Sequence, residues 1–493
     1  MKNSIQYFIE NGIPELEKIK LNFMENPTMF DQCVEEAWKI FLQTACCFIC
    51  GWLEECNTLL ENSMKRRLHW QVKDRGRKNI LTPVGSITFT RTRFINKETG
   101  ETAYLLDRIL GWEPHTRISE GVKAGMLEAA AQGSYEKAGE NACQGEDRVS
   151  RQTVMRQVRS TQVPPKGREE VSEKRKVKYL YVEADEDHIA LQFKEKKGDI
   201  KRCKGHADNG QIVKLVSVHE GYADSGKDIK RKKLKNVVYF GGLYRGKDNE
   251  KLWNEVKEYI EKQYDTEGIE KIYFQSDGGG WMKKGIEVLG AEFVLDEFHI
   301  QKYIRKMARL AGGSTEEDRE ASEKKLQEWI EKGNRKKLEE WTEQACAGLT
   351  EKDGKKLKES WNYIKNNWKG VRRRIKKEEG VMGSSTEGHI SHVLSARMSS
   401  RPMGWCRQGA DSLSHIRIYW KNGGDMLELV QRQKEEETEE RQEEEKYFSA
   451  SEILSWEKKH SKTNGKYIEA LQVRISSQIS GRIIFNNAIA SVC

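Results

Sequence analysis

Apolar residues recur at helical spacing through residues 1–75, as in Phe41, Ala45, Phe48 and Trp52, which predicts helices there. The period then shortens. Val84–Phe94 holds the alternating segment ITFTRTRF, turn residues fill Asn96–Gly100, and Ala103–Leu106 can return as a second strand. A small hairpin with Arg91 and Arg93 exposed is expected. Residues 117–160 read as helix again. Ser134 is placed to cap one helix, a break falls at Gln144–Asp147, and Ser150 is placed to cap the next. In that last helix Val154 and Val158 face inward, while Arg151, Gln152, Arg156 and Arg159 face outward. A helix, a short turn and a basic helix make the helix-turn-helix pattern of duplex DNA readers. Gln162–Gly167, with two prolines, reads as a linker.

From Val177 strands and helices alternate. Val177–Asp185 (VKYLYVEAD) predicts a strand, and His188–Phe193 a second one across a tight turn. Gln211–His219 predicts a third strand, Trp253–Tyr264 a helix and Lys271–Asp277 (KIYFQSD) a fourth strand. A glycine turn, a helix over Trp281–Leu289, a fifth strand over Ala291–Asp296 and a helix over Phe298–Leu310 follow. This is the order of a ribonuclease-H-like mixed sheet in an α/β fold. A dinucleotide-binding order needs a crossover helix between its first two strands, and Glu186–Asp187 leaves no room for one. Residues 315–380 predict a charged helical insertion, with Leu326, Trp329, Leu338, Trp341, Trp361, Ile364 and Trp368 as its buried stripe.

The expected domains are an N-terminal helical region (1–80) and a hairpin and helix-turn-helix region that binds DNA (81–168). A catalytic core follows in two parts (170–310 and 382–425) around the insertion (311–381), then a charged tail (426–493). The formal net charge is +9, a modest excess, but basic residues cluster at Lys65–Arg67, Lys230–Lys233 and Arg372–Lys377, where phosphates would sit. Met1 opens a polar amphipathic stretch and the longest apolar run, Ala45–Leu53, is too short for a bilayer, so a cytoplasmic protein with no membrane partner is expected. Cys46, Cys47, Cys50 and Cys56 lie among apolar residues without a paired CxxC or a nearby histidine, which favours packed thiols over zinc.

The carboxylates carry the chemistry. Asp185 ends the first predicted strand and Asp277 the fourth, and those strands are neighbours in a ribonuclease-H-like sheet. Glu387, in GSSTEGHISHVLSARMSSRPMGW, opens a helix whose Ile390, Val393 and Leu394 can pack on the sheet. Arg397 and Arg401 follow as candidate phosphate contacts. Three converging carboxylates suit two Mg²⁺ ions, with Mn²⁺ as a substitute. One ion would activate the attacking oxygen and the other would stabilise the leaving one. Glu183, Asp185 and Asp187 share one face of a regular strand. Asp185 fits best because it ends the apolar run, and Asp187 competes with it for the same role.

The segments LYVEADEDHIALQ, IYFQSDGGGWMKKG, AEFVLDEFHIQKYIR and SSTEGHISHVLSARMSSRPMGW resemble those of the bacterial insertion-sequence transposases called Lre-two. That family belongs to the DDE transposases and is similar to their Mutator-like branch. The resemblance implies a catalytic triad of Asp185, Asp277 and Glu387. Asp296-x-x-His299 resembles the branch's (Cys/Asp)-x-x-His signature, which gives Asp296 and His299 supporting places behind the triad. It further implies metal-dependent cleavage and strand transfer, an N-terminal region that recognises terminal inverted repeats, and self-association on DNA at the nucleoid. Arg151, Gln152, Arg156, Arg159, Arg372, Arg373, Arg397 and Arg401 would then contact DNA. A nuclease without strand transfer, or a domesticated DNA-binding protein, would keep the same scaffold and differ only in products. A helical scaffold protein with no chemistry is the remaining alternative.

Overall fold

The computed structural model describes residues 4–166, 171–223 and 233–439. Most of the basic run 230–233, the acidic run from 440 on and the ending SGRIIFNNAIASVC lie outside these residues, as does Gly167 of the linker. The chain divides into two compact units. One holds residues 1–130, 134–157 and the chain from Met426; the other holds 131–133 and 158–425.

In the first unit the helix Phe30–Asn62 lies against a hairpin of β1 (Trp70–Thr82) and β2 (Gly85–Asn96), with β3 (Thr102–Ala103) on its edge. The first hairpin strand is the one that hydropathy missed. β1 reads WQVKDRGRKNILT, with charge on both faces until its last turn, so no alternation announces it. Pairing turns one of the two expected exposed arginines, Arg91, inward and leaves Arg93 at the surface. Arg91 reaches Asp107 and lies over the Tyr104 ring, and Arg93 pairs with Asp74. The helix faces the hairpin with Ile49, Cys50, Leu53, Cys56 and Leu60, whereas Phe41 and Trp52 of the predicted stripe stay half exposed. Arg66 of the first basic run is buried and donates to the carbonyls of Leu60 (3.0 Å) and Trp70 (2.9 Å), closing the end of that helix. Ser134 accepts from Lys137 N–H and Ser150 from Thr153 N–H (3.2 Å each), so both predicted caps are made.

The second unit is built on a mixed five-stranded sheet. Its strands are β4 (Tyr179–Ala190), β7 (Gly210–His219), β8 (Val238–Gly242), β9 (Lys271–Ser276) and β10 (Glu292–Leu295), in the order β10-β9-β4-β7-β8. Between β4 and β7 a small ribbon pairs β5 (Arg202–Cys203) with β6 (His206–Ala207). β9 and β10 run parallel to β4; β7 and β8 alternate against it. The predicted turn at Glu186–Asp187 does not exist. β4 runs through it, because β7 pairs continuously with it from Tyr181↔His219 to Ala190↔Gly210 and no glycine or proline breaks the ladder. The third meander strand is therefore β8 (VYFGG), which was too short and too glycine-rich to read as one.

Strand parity decides what each face of the sheet does. Leu180, Val182 and Ala184 point into a core with Val216, Phe240, Trp253, Val256 and Phe274, under the helices Asp248–Gln263 and Gly280–Leu289. Gly285 lets those helices touch, since a Cβ there would lie 2.5 Å from the Trp253 ring. Gly285→Ala is expected to cost roughly 1–3 kcal/mol, read as a lower midpoint in urea. The odd positions of β4 face the other side, where residues 378–399 are laid across the sheet. Tyr181 donates to the Gly380 carbonyl (2.7 Å), Tyr273 to that of Glu379 (2.6 Å) and Gln275 to that of Met382 (3.2 Å). The insertion is four helices: Glu316–Glu331, Arg335–Ala347, Glu351–Asn366 and Trp368–Ile375. They close a second core with the helix Glu297–Ala311 through Leu326, Leu338, Trp361 and Ile364. Among the described residues no helix is long and apolar enough to cross a membrane.

Candidate functional site

The register of the parallel pair places two of the carboxylates. Glu183 lies opposite Gln275, an offset of 275 − 183 = 92 residues, and the same offset sets Asp185 beside Asp277 (277 − 185 = 92). Asp277 follows the last residue of β9, so its strand opens where Asp185 needs space. Neighbouring strands stand about 4.8 Å apart, which brings both side chains to one edge. Asp277 is held by its own turn. Its Oδ1 accepts from Gly279 N–H (2.9 Å), and its carbonyl accepts from Tyr363 Oη–H of the insertion (2.6 Å). Gly278 is left-handed (φ +81°), and a Cβ on it would meet Asn367 at 2.7 Å. The glycine turn is therefore a seat for the insertion as well as a bend.

Glu387 comes from the segment that follows the insertion. Its helix starts at Thr386, passes into a π-turn over Ser391–Ser395 and ends at Met398. Glu387 itself is exposed while Thr386 and Ile390 are buried, so the helix packs and offers this carboxylate outward. Asp185 is influenced by both of the other charges. Burial first, then the charges of Glu387 and Asp277, push the Asp185 carboxyl up to about 7; the Glu186 N–H that donates to Asp185 Oδ1 (2.8 Å) and His299 pull the other way.

His299 sits behind this cluster. Asp296 caps the helix Glu297–Ala311 by accepting from Phe298 N–H, and its other oxygen lies 3.3 Å from His299 Nδ1. Burial works against the charged imidazole, but the Asp296 hydrogen bond and the charges of Asp296, Asp277 and Asp185 outweigh it, so the His299 pKa is raised. Tyr303 and Tyr363 stack at 3.9 Å, and burial followed by the Asp277 charge raises both phenols. Neither tyrosine was singled out by sequence; no spacing rule links Asp277 to a helix some 86 residues later.

The flanking carboxylates of β4 are engaged elsewhere. Glu183 accepts from Ser385 N–H and Oγ–H, and Asp187 accepts from Ser399 Oγ–H, at 2.9 Å each. Two buried imidazoles stand close to Glu183, with His219 Nε2 at 3.7 Å and His389 Nε2 at 3.8 Å. Among the described residues, no three or more His, Cys, Asp or Glu side chains stand together closely enough to hold a metal ion. Asp185, Asp277 and Glu387 are therefore linked here by their electrostatic influence on Asp185 and not by a gathered ligand set.

The predicted basic contacts divide. Arg151, Gln152, Arg156, Arg372 and Arg401 are exposed. Arg159 donates to Cys406 Sγ (2.8 Å). Arg373 pairs with Glu292 and donates to the Phe293 carbonyl (2.9 Å), and Arg374 holds the Leu295 carbonyl and Glu297. Arg397 is buried over the Trp405 ring. Arg373 and Arg397 are therefore internal braces, a correction that follows from their burial and their partners; a guanidinium already spent on a carbonyl or a ring is not offered to a phosphate.

An uncharacterised protein family (UPF0236) matches residues 23–436. A UPF0236 protein of Caldanaerobacter subterraneus subsp. tengcongensis, whose name joins eleven serial designations, is 36% identical over 386 residues, covering 78% of this chain and 76% of that protein. The UPF0236 protein in the vanSb 3′ region of Streptococcus gallolyticus is 26% identical over 374 residues, covering 72% and 75%. Among solved structures, the Drosophila P element transposase strand transfer complex aligns with 65% of this chain and 96% of that one, at 13% identity and a TM-score of 0.33, too low to establish a common fold.

Proposed function

The chain belongs to the uncharacterised protein family UPF0236, and we propose that it is a DDE-type DNA transposase built on a ribonuclease-H-like core. The observation that supports this reading is the β4–β9 register that sets Asp185 beside Asp277, together with the Asp185 carboxyl pushed up to about 7 by burial and then by the charges of Glu387 and Asp277. A carboxylate so placed is relieved by a cation. The three candidate donors are all carboxylates, which suits Mg²⁺, an ion that keeps several waters and takes remaining ligands from substrate phosphate; the ion and the DNA would have to draw them together, since they are not gathered in the chain alone. The central β4 with parallel β9 and antiparallel β7, and the insertion ahead of the Glu387 helix, support the fold reading. A relative carried under eleven designations in one strain is also what a copied element leaves behind.

In this reading Asp185, Asp277 and Glu387 hold two Mg²⁺ ions, with Mn²⁺ as a substitute. Bound there, the ions would supply an activated attacking oxygen and a stabilised leaving oxygen. Asp277 is kept in place by Tyr363 and its glycine turn, and Asp296 orients His299, whose raised pKa favours a positive charge beside the scissile phosphate. The exposed Arg151, Arg156, Arg372 and Arg401 contact duplex DNA at terminal inverted repeats or target, Gln152 reads a base edge, and two or more copies assemble on the DNA in the cytoplasm, at the nucleoid.

The test is incubation of the purified full chain with duplex DNA carrying the element ends, with Mg²⁺, and mapping of products at nucleotide resolution. Cleavage at the repeat boundary followed by joining to a target is expected. Cleavage without joining would make it a nuclease, and no cleavage with Mg²⁺ or Mn²⁺ would sink the enzymatic reading. DNA contact has its own check. Arg151→Ala with Arg156→Ala should flatten the dependence of log K on log salt by about 0.9 per lost phosphate contact. Arg372→Ala should weaken binding with stability kept, whereas Arg373→Ala should lower stability, since it leaves Glu292 without its partner.

A further inference from the structure

Three carboxylates alternate along one face of β4, at positions 183, 185 and 187. The outer two are spent on the same distant segment. Glu183, only 1% exposed, receives both Ser385 N–H and Ser385 Oγ–H at 2.9 Å. Asp187 receives Ser399 Oγ–H at 2.9 Å. Asp185, between them, has its hydrogen bond from the adjacent Glu186 N–H and reaches no serine. Ser385 is the residue on which the Glu387 helix starts, and Ser399 follows the last residue of its continuation, Met398.

We propose that Glu183 and Asp187 are positioning residues which fasten the two ends of the segment Ser385–Ser399 across β4, and so hold Glu387 over Asp185. The inference rests on the reading of Asp185, Asp277 and Glu387 as the metal-binding carboxylates. The segment comes to the sheet from the far side of an insertion of some seventy residues, so nothing in the local chain fixes its register on β4. The two fastenings supply it. They lie one pleat repeat either side of Asp185, roughly 6.8 Å each way at about 3.4 Å per residue, and bracket the position where Glu387 must stand.

The buried Glu183 is built for this. An isolated carboxylate so deep costs several kcal/mol, and two donors from one serine, one of them backbone, offset that only when Ser385 is in place. The neighbours complete the nest. Gly221 N–H donates to His219 Nδ1 (3.1 Å), which leaves the ring hydrogen on Nε2, the atom facing Glu183; Tyr239 Oη and His389 Nδ1 are 2.8 Å apart. Packing alone would be served at lower cost by an apolar side chain at 183.

The experiment uses the full chain with Ser385→Ala, Ser385→Thr, Ser399→Ala and Glu183→Ala, read in three ways. Hydrogen exchange of the peptide covering residues 384–398 is measured without metal. The Mg²⁺ concentration for half-maximal cleavage and the affinity for end-containing DNA are measured separately. Ser385→Ala is expected to speed exchange at 384–390 and raise the half-saturating Mg²⁺ roughly 10–100-fold, with DNA affinity unchanged. Ser385→Thr, which keeps the hydroxyl, should restore both. Ser399→Ala should do the same more weakly, and Glu183→Ala should match Ser385→Ala in exchange if it folds. A residue that served packing only would lower the melting temperature without moving the Mg²⁺ midpoint. Parent-like exchange and parent-like Mg²⁺ dependence in Ser385→Ala would overturn the proposal while leaving the transposase reading intact. If the parent cuts no DNA, the transposase reading fails and exchange alone decides: faster in Ser385→Ala, the fastening stands; unchanged, it falls.

Discussion

Asp185→Asn, Asp277→Asn and Glu387→Gln are each expected to lower Mg²⁺-dependent strand cleavage on the order of 10³-fold while leaving affinity for end-containing DNA unchanged. Each substitution keeps the shape and hydrogen-bonding capacity of its side chain and removes one negative charge. Phosphoryl transfer asks the protein mainly for position and for charge neutralisation, so a lost ligand charge falls on the chemical step. Affinity comes mostly from phosphate contacts made by other residues, which is why binding is the internal control. Asp187→Asn provides the contrast. Its oxygen can still accept from Ser399, so cleavage should fall far less. If Asp187→Asn were dead and Asp185→Asn active, the first metal ligand would lie one pleat repeat further along β4. Three triad variants that all cut like the parent would rule out carboxylate-held metal at this site.

How far the site could be read beforehand depended on whether a residue's role follows from local pattern. The place of Asp277 at a strand end did, because an apolar strand running into Asp and three glycines marks a strand-to-turn boundary. The place of Glu387 at a helix start did, because a start after GSS next to an apolar stripe is a local signal. Asp185 is argued from a strand end that the structure does not have. Two adjacent carboxylates at 186–187 suggest a turn, but no breaker accompanies them, and continuous pairing with β7 carries the strand on to Ala190. The error hid what Glu183 and Asp187 do, since their partners, Ser385 and Ser399, lie more than 200 residues away. The arginines failed for a related reason. Outward spacing on a helix cannot separate a side chain held for DNA from one already paired. Arg372 and Arg373 are adjacent in sequence, yet only Arg373 meets Glu292 across the end of β10. β1 failed because its middle, KDRGRK, puts charge on both faces of the strand and leaves no alternation to read.

The metal-free protein should lose stability as pH rises, and Asp185→Asn should remove much of that loss. The Asp185 carboxyl is raised to about 7, chiefly by burial and then by Glu387 and Asp277, from an ordinary value near 3.8. A raised group binds its proton more tightly folded than unfolded. Its contribution is therefore fully present below the unfolded value and lost as pH climbs through the folded one, a window from about 4 to a little above 7. Each pH unit between the two values is worth about 1.4 kcal/mol, which sets a ceiling of about 4 kcal/mol; partial solvent access to this side chain reduces the expected loss to roughly 1–3 kcal/mol. His299, also raised, adds loss of the same sign above its ordinary 6.5, so parent and variant must be compared at the same pH. In chelator the two should melt alike at pH 4.5, where Asp185 keeps its proton, and the variant should melt higher by several degrees at pH 8. Mg²⁺ or Mn²⁺ should then raise the parent toward the variant at pH 8 and do little at pH 4.5, since a cation relieves a charge that exists only above the window. A parent–variant gap that is constant with pH, or a parent that gains nothing from divalent ions at pH 8, would show that Asp185 is not crowded by like charge.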